Sequence, residues 1–387
     1  MKKLEIHFNI QLIVAALFIT TIGFSQVPQF GKDTLLDVAC WNLEWFGDLD
    51  NGPTNEQLQF NNIKKVLNNT DIDVWGFCEV SSLASYEQLL DDLPQYEGTL
   101  ATYSATQKTA LFYKKDMFEL ISSNHILSSS QYTYNFAGRP PLEVVLKTKA
   151  PLEIDTFYFI VVHLKAMADQ SSYDRRKIAS EQLKAHHLDQ HRSTKKTIVL
   201  GDWNDKLNVS TFGGLETPFK TILDDSQNYL FTTKQLNDAG KKSYAFINGS
   251  MIDHILINNP MKTNYVSTMT NVLDMMPSYI SNFSQNTSDH FPVVSYFTLN
   301  NDFTAGLNSN FSQLNSFGVS QNNQTVFAIG EWTGSVELFN LNGMSLGSFE
   351  KNSEQTSEFS IQNLPKGMYI AHLKSGQESK TYKFIRY

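Results

Sequence analysis

Six short motifs in this chain place polar side chains at or just after an apolar run. A carboxylate in such a place is costly to bury unless it binds a metal ion or is paired. In layered α/β proteins, strand ends and the loops after them converge on the active site. The order of the motifs predicts one site built from Asn42 in CWNLEWF, Glu79 in WGFCEV, His163 in VVHLKA, Asp202 and Asn204 in VLGDWND, Asp253 in SMIDHILI, and Asp289 and His290 in SDHFPV.

The first two motifs favour a metal ion, and the fourth favours phosphate chemistry. Glu79 offers a carboxylate and Asn42 a neutral oxygen, and such hard ligands suit Mg²⁺, Mn²⁺ or Ca²⁺. Asp202 and Asn204 are two residues apart, so an extended chain points both side chains the same way. One of them can then orient or deprotonate water while the other holds a phosphate oxygen.

The last two motifs predict an acid–imidazole pair between Asp253 and His290. The carboxylate would fix the imidazole tautomer and favour the protonated ring after it takes a proton from water. Each motif is weak by itself, because a strand-end aspartate commonly caps a turn and a buried histidine commonly bonds a backbone group. The combination carries the prediction.

The segments that position these residues alternate between strand and helix patterns. Apolar or β-branched runs predict strands at 37–42, 74–79, 110–113, 142–147, 157–163, 197–202, 252–257 and 293–298. Helices are predicted at 55–69, 82–93 and 173–191. This mixture indicates strands covered by helices.

The first predicted helix has a recognisable start. Thr54 with Gln57 three residues later forms a capping-box pattern. The buried stripe of this helix is predicted to consist of Leu58, Ile63, Val66 and Leu67.

The 387-residue chain is long enough for one large and one small domain. A basic start and an apolar run at 10–24 predict a signal peptide over 1–25. An uncleaved membrane anchor is the alternative, but the run is shorter than the roughly 20 residues that a span needs. The large domain is predicted over 36–299, an Asn- and Ser-rich linker over 300–322, and a small all-β sandwich over 323–387.

Composition narrows the class of protein. Hydrophobic residues make up 41% of the chain, which excludes a disordered protein. A net charge of −8 argues against a protein that grips nucleic acid over a broad basic surface, so a nucleic acid would be a substrate held locally. Cys40 and Cys78 lack zinc-site spacing, and we expect buried thiols rather than a disulfide.

Together, the ordered motifs resemble the deoxyribonuclease-I-like endonuclease/exonuclease/phosphatase superfamily over about residues 36–299, with GDWN and SDHFPV as the most specific elements. The resemblance implies a four-layer α/β sandwich, two packed β-sheets flanked by helices. Residues 323–387, with FNLNG, NLPKGMYIAHL and KTYKFIRY, resemble the C-terminal sorting domains of type IX secretion. That resemblance implies the secretion machinery as a partner and an extracellular or cell-surface location.

The resemblance also implies a role for each residue of the site. Metal ligands would be Asn42, Glu79 and Asp289. Catalytic residues would be His163, Asp202, Asn204, Asp253 and His290, and substrate phosphate would contact Arg139, Asn204 and His163. A surface arginine before the Pro-Pro turn is the alternative for Arg139. Some family members pair the histidine with a glutamate where this chain has Gln107, so His163 could be a phosphate ligand only.

These expectations define the predicted function. We expect an exported, Mg²⁺-dependent (or Mn²⁺- or Ca²⁺-dependent) phosphodiesterase without a stable membrane span, most consistent with an endonuclease on DNA or RNA and with a monomer. The alternatives are a phosphatase or sphingomyelinase-like phospholipase of the same fold, or a non-catalytic surface binding protein.

Three other groups of residues could suggest a functional role, but the sequence does not require one for any of them. His186, His187 and His191 are expected on a solvated helix face, because no third ligand has zinc spacing. The basic residues 175–177 are expected in solvent. Trp45 and Phe46 could stack a base or fill the core, and the sequence does not separate these.

Overall fold

The computed structural model describes residues 26–32, 35–150, 152–246 and 248–299, and in the C-terminal part 316–319, 325–329, 333–340, 343–352, 357–365, 367–376 and 378–386. The predicted signal peptide, 1–25, lies outside the described residues. The chain divides into two compact units, one up to Leu299 and one from Asn300. The finer domain limits stay predictions.

The first sheet of the large unit has six strands in the order β11-β12-β1-β2-β4-β3. Their bounds are β1 Leu36–Phe46, β2 Val74–Val80, β3 Tyr96–Leu100, β4 Lys108–Lys114, β11 Tyr265–Val272 and β12 Val293–Phe297. β1 and β2 are parallel, with Val38 opposite Val74 and Asn42 opposite Cys78.

The second sheet also has six strands, in the order β5-β6-β7-β8-β10-β9. Their bounds are β5 Phe118–His125, β6 Leu142–Thr148, β7 Thr156–His163, β8 Thr197–Asp202, β9 Tyr229–Phe231 and β10 Asp253–Asn258. β7 and β8 are parallel, and His163 lies opposite Asp202.

Strand periodicity builds the layers. On β1, Val38 and Cys40 point into the core between the two sheets, while Ala39 and Trp41 point to a second core under helices. On β7, Val161 likewise faces the other sheet and Val162 faces helices. The predicted four-layer α/β sandwich is confirmed.

The helices cover the outer faces of the sheets. They are α1 Glu56–Thr70, α2 Leu83–Asp91, α3 Ser130–Thr133, α4 Gln170–Leu183, α5 Lys220–Leu223, α6 Lys234–Asp238, α7 Asn259–Lys262 and α8 Phe283–Asn286, with a π-helix at Lys184–Arg192 and a 3₁₀ turn at Met276–Ser278. The predicted helix at 173–191 is therefore an α-helix that widens into a π-helix. No helix of the described residues is long and apolar enough to cross a bilayer.

The start of α1 corrects the predicted cap. Asn55, not Thr54, is the N-cap, and its side chain accepts a hydrogen bond from the N–H of Leu58. Both residue types cap well, so the sequence alone does not choose between them. Leu58 is exposed, whereas Ile63 and the following apolar positions of the stripe are buried.

The C-terminal unit contains only strands among its described residues. A three-stranded sheet, β13-β14-β17, and a four-stranded sheet, β16-β15-β18-β19, share one apolar core. The bounds are β13 Ser316–Val319, β14 Thr325–Ile329, β15 Gly334–Asn340, β16 Ser345–Lys351, β17 Ser357–Ser360, β18 Gly367–Ser375 and β19 Glu378–Arg386. β13 lies within the segment predicted as linker, because Phe317 and its neighbours pair with β14.

Candidate active site

The site lies where the ends of two parallel strand pairs meet across the sandwich. β1 and β2 end near Asn42 and Glu79, and β7 and β8 end at His163 and Asp202. The Asn42 amide donates to Glu79 Oε1 at 3.1 Å and to Asp202 Oδ2 at 3.0 Å. His163 Nε2 lies 3.6 Å from Glu79 Oε1 and 3.7 Å from Asp202 Oδ2.

Glu44, which the sequence analysis does not single out, lies at the same site. Glu44 and Trp45 have φ angles of 48° and 53°, which turn the chain sharply after Asn42. The N–H of Glu44 donates to Asn42 Oδ1 at 3.0 Å, and that of Trp45 to Glu79 Oε2 at 3.1 Å. Glu44 Oε2 accepts from the N–H of Asp289 at 2.8 Å. An acidic residue two positions after Asn42 was the available signal.

Trp45 and Phe46 diverge at this turn. Phe46 is buried in the core and stacks with Phe60 at 6.1 Å between ring centroids. Trp45 is half-buried beside Glu79. Core filling therefore describes Phe46, and Trp45 remains available at the edge of the site.

Two carboxylates of this edge, Glu44 and Asp289, have a raised proton affinity. Burial, followed by the charges of Asp289 and Glu79, raises the pKa of Glu44 to about 7. Burial also raises the pKa of Asp289, and the charge of Glu79 adds to the increase although His290 opposes it. Half-buried carboxylates that repel each other fit a hard divalent cation, which would take their oxygens as ligands. The predicted ligands Asn42, Glu79 and Asp289 thus come together, with Glu44 among them.

Asp202, Asp253 and His290 form a second cluster, with ligand atoms within 4.8 Å of one another. His290 Nδ1 lies 2.7 Å from Asp253 Oδ2. Burial alone would lower the pKa of His290, but the charge and hydrogen bond of Asp253, and the charges of Asp202 and Asp289, raise that pKa well above its ordinary value. A protonated imidazole cannot bind a cation, so this cluster suits proton transfer better than metal binding.

Asn204 folds back onto Asp202. Its φ of 56° is left-handed, so the expectation of an extended chain between the two residues is wrong. Asp202 Oδ1 accepts from the Asn204 N–H at 2.8 Å, and Oδ2 from the Asn204 amide at 3.0 Å. Burial and the charge of Asp253 raise the pKa of Asp202 to about 7. The pair is together despite the different backbone path.

His163 is buried, and its imidazole ring is uncharged. Burial, followed by the charge of Arg139, lowers the pKa of His163 well below its ordinary value. Arg139 is buried, so the surface alternative for it is wrong. Its Nε and Nη2 donate to the carbonyls of His163 and Leu164 at 3.2 and 2.9 Å, and its Nη1 donates to Gln107 Oε1 at 3.0 Å. Gln107 therefore bonds the arginine, not the imidazole.

Behind the site, a buried ion pair joins α4 to the loop after β8. Arg176 Nε and Nη2 donate to Asp205 Oδ2 at 3.1 and 2.9 Å, and both side chains are fully buried. Arg176 Nη1 donates to the carbonyls of Lys165 and Met167. The prediction of a solvent-exposed basic cluster is wrong for Arg176, whose partner is distant in sequence, whereas Arg175 is half-buried and Lys177 is exposed.

Two other expectations resolve differently. His187 is buried, with Nε2 2.7 Å from Glu143 Oε2, so the expected solvated face is wrong at this position. Glu143 also forms an ion pair with Arg192, and these two partners compensate the burial of the Glu143 carboxylate. Cys40 and Cys78 are free and buried, as predicted.

A family model described as endonuclease/exonuclease/phosphatase family matches residues 51–278, more than half of the chain. The chain belongs to the endonuclease/exonuclease/phosphatase family. Enzymes of this family are divalent-metal-dependent hydrolases. Asn42, Glu44, Asp289 and His290 lie outside the matched span, and the fold brings them to the residues inside it.

One solved structure agrees in fold. TDP2 from D. rerio, complexed with single-strand DNA product, is 14% identical with a TM-score of 0.52, covering 68% of this chain and 99% of that one. Human nocturnin with bound sulfate (19%, TM-score 0.48, covering 68% and 94%) and a mannosyl-6-phosphatase from Bacteroides thetaiotaomicron (18%, 0.49, 68% and 99%) are also similar. No curated protein matches the chain.

The C-terminal unit decides the location of this family member. Residues 317–386 match a family model described as secretion system C-terminal sorting domain, which confirms the predicted type IX resemblance. The protein is exported, to the cell surface or the extracellular space.

Proposed function

We propose that this exported hydrolase is a metal-dependent phosphodiesterase that cleaves nucleic acid internally. The site supports the proposal by combining a carboxylate edge for a divalent ion, a charged acid–imidazole pair and a neutral histidine around one point. These are the groups that direct water attack on a phosphodiester requires.

The carboxylates of Glu44, Glu79 and Asp289, with Asn42 in their immediate surroundings, would hold Mg²⁺, or Mn²⁺ or Ca²⁺ in its place. When bound, the ion supplies Lewis-acid stabilisation of charge on the phosphoryl oxygens. A bound cation would offset the electrostatic repulsion between these side chains, which favours its binding.

The remaining residues divide the proton and charge work. Asp202, fixed by Asn42 and Asn204, orients the attacking water and takes its proton. His290, held by Asp253, donates a hydrogen bond to the phosphoryl group as charge grows there, and it gives its proton to the leaving oxygen as the P–O bond to that oxygen breaks. Neutral His163 and Asn204 contact phosphate oxygens. Because water itself is the nucleophile, no covalent intermediate is required.

The observation that carries the choice of a nucleic acid is a group of cations on the His163 side of the site. Lys165 lies close enough to Arg175 and Arg139 that, after burial, their charges lower its pKa. Arg175 stacks on Tyr134, with its guanidinium carbon 4.3 Å from the ring centroid. In a chain with a net charge of −8, cations gathered beside the site fit a substrate with several phosphates.

Hydrolysis of supercoiled plasmid by the purified protein tests the proposal. We expect nicking with Mg²⁺ or Mn²⁺, none with EDTA, and none from His290→Ala. Lys165→Ala should weaken nicking more at low salt than at high salt, because losing one phosphate contact makes the salt dependence of the variant shallower.

Other outcomes assign the alternatives. Hydrolysis of phosphomonoesters or sphingomyelin without nicking would reject the nuclease and keep the site. Inactivity on every phosphoester would favour the binding protein.

A further inference from the structure

Beside His290, two aromatic rings lead outward from the site. The Tyr244 ring lies 5.3 Å from the His290 ring between centroids, at a steep angle. The Phe246 ring lies 5.0 Å beyond Tyr244 and is 46% exposed. An exposed phenylalanine two side chains from a reacting centre offers a stacking surface.

Both ends of the loop that carries these rings are fixed to the catalytic segments. The N–H of Ala245 donates to the carbonyl of Asp289 at 2.7 Å, and Tyr244 forms a β-bridge with His290. At the start of β10, Ser243 Oγ accepts from the N–H of Asp253 at 3.0 Å. The rings therefore hold a set position relative to the acid–imidazole pair, which lowers the cost of ordering them on binding.

A close backbone approach further defines the turn. The N–H of Gly249 donates to the carbonyl of Phe246 at 2.8 Å. A β-carbon on Gly249 would lie 1.9 Å from the carbonyl oxygen of Tyr244, so only glycine fits there. The position of Phe246 is thus built into the fold.

We propose that Phe246 and Tyr244 form a stacking subsite for one nucleobase of the substrate, next to the phosphodiester that is cleaved. The proposal rests on the nuclease function and deepens it by placing the base on the His290 side and the flanking phosphates on the Lys165 side.

The subsite makes cleavage depend on a base at one defined position. Stacking of one base on an aromatic ring is worth about 5- to 150-fold in binding. Phe246→Ala should lower kcat/KM on oligonucleotides by a factor in this range. Phe246→Trp should keep the activity, and Phe246→Leu, which keeps apolar area without a ring, should not restore it.

A scan with abasic residues separates stacking from general damage. The full-length protein with Mg²⁺ is assayed on single-stranded oligonucleotides of one sequence, each with one abasic residue at a successive position. For the wild type we expect one position beside the cut at which loss of the base slows cleavage there. In Phe246→Ala that loss should have no further effect. Leu120→Ala, which truncates an exposed side chain on β5, is the matched control and should retain the wild-type pattern.

The outcomes distinguish the two proposals. A wild type that cleaves no nucleic acid refutes the nuclease function and the subsite with it. A wild type that cleaves, but tolerates abasic residues at every position or shows the same pattern after Phe246→Ala, refutes the subsite alone.

Discussion

The ion pair between Arg176 and Asp205 offers a direct test of how the site is held. Both side chains are fully buried, and Arg176 also donates to the carbonyls of Lys165 and Met167. Arg176→Met keeps the apolar stem but leaves the Asp205 carboxylate without its counter-charge. Removal of one partner of a buried pair typically costs about 3–5 kcal/mol.

We therefore expect Arg176→Met to lower the free energy of unfolding of the large unit by about 4 kcal/mol. For a unit of this size the melting temperature should fall by roughly 10 °C. Urea unfolding followed by tryptophan fluorescence suits the measurement, because Trp203 is buried two residues from Asp205.

Arg175 is a matched control on the same helix. It is half-buried and donates to the carbonyl of Tyr134, an exposed residue, so Arg175→Met leaves no buried charge unpaired and should cost less than about 1 kcal/mol. If Arg176→Met lowered stability no more than Arg175→Met does, the buried pair would not be the link between α4 and the catalytic loop.

Three further outcomes follow from charges in the structure. Burial and the charge of Asp73 raise the pKa of Asp37 to about 8, above its value in the unfolded chain, so stability is lost as pH rises from about 4 to 8. In that window the free energy of unfolding of Asp37→Asn should rise, relative to that of the wild type, by up to about 1.4 kcal/mol per pH unit. The measurement is urea unfolding of both proteins at pH 5 and pH 8, and the same difference in free energy between them at both pH values would contradict this. Excess Mg²⁺ at about 100 times its Kd should stabilise the wild type by about 2.7 kcal/mol in thermal unfolding and Glu79→Gln by much less; an equal shift in both would place the ion elsewhere. Asp253→Asn should lower kcat about 100-fold or more with a smaller change in KM, because His290 loses the charge that keeps it protonated, and an unchanged pH–rate profile would refute that role.

The central strands could be predicted from sequence because each is a short apolar run buried on both faces. β5, with the sequence FELISSNH, escaped prediction because it is an edge strand whose side chains are largely exposed, so it lacks that signature. β13 escaped it because a short Asn- and Ser-rich context resembles a linker. Pairing with a neighbouring strand, which no local pattern encodes, decided both.

Within the site, residues at strand ends were accessible to sequence reasoning and residues placed by backbone turns were not. Glu44 comes close to Glu79 and Asp289 only because the backbone after Asn42 takes a left-handed conformation, at residues that are neither glycine nor asparagine. Arg176 looked like one of three solvated cations because its buried partner, Asp205, follows 29 residues later. Long-range pairing of charges is absent from single-sequence patterns.

The backbone of the site also bears on how this protein could be engineered. Glu44, Trp45, Glu79 and Asn204 all have positive φ, a conformation that costs most residue types about 1 kcal/mol or more and glycine almost nothing. Random mutagenesis screened only for heat resistance would thus be rewarded for glycine at Glu44 or Glu79, the carboxylates that we propose hold the ion. Selection for heat resistance and selection for turnover therefore favour different residues at these positions. A stabilised variant of this enzyme should carry its stabilising substitutions in the sheets and keep these four residues unchanged.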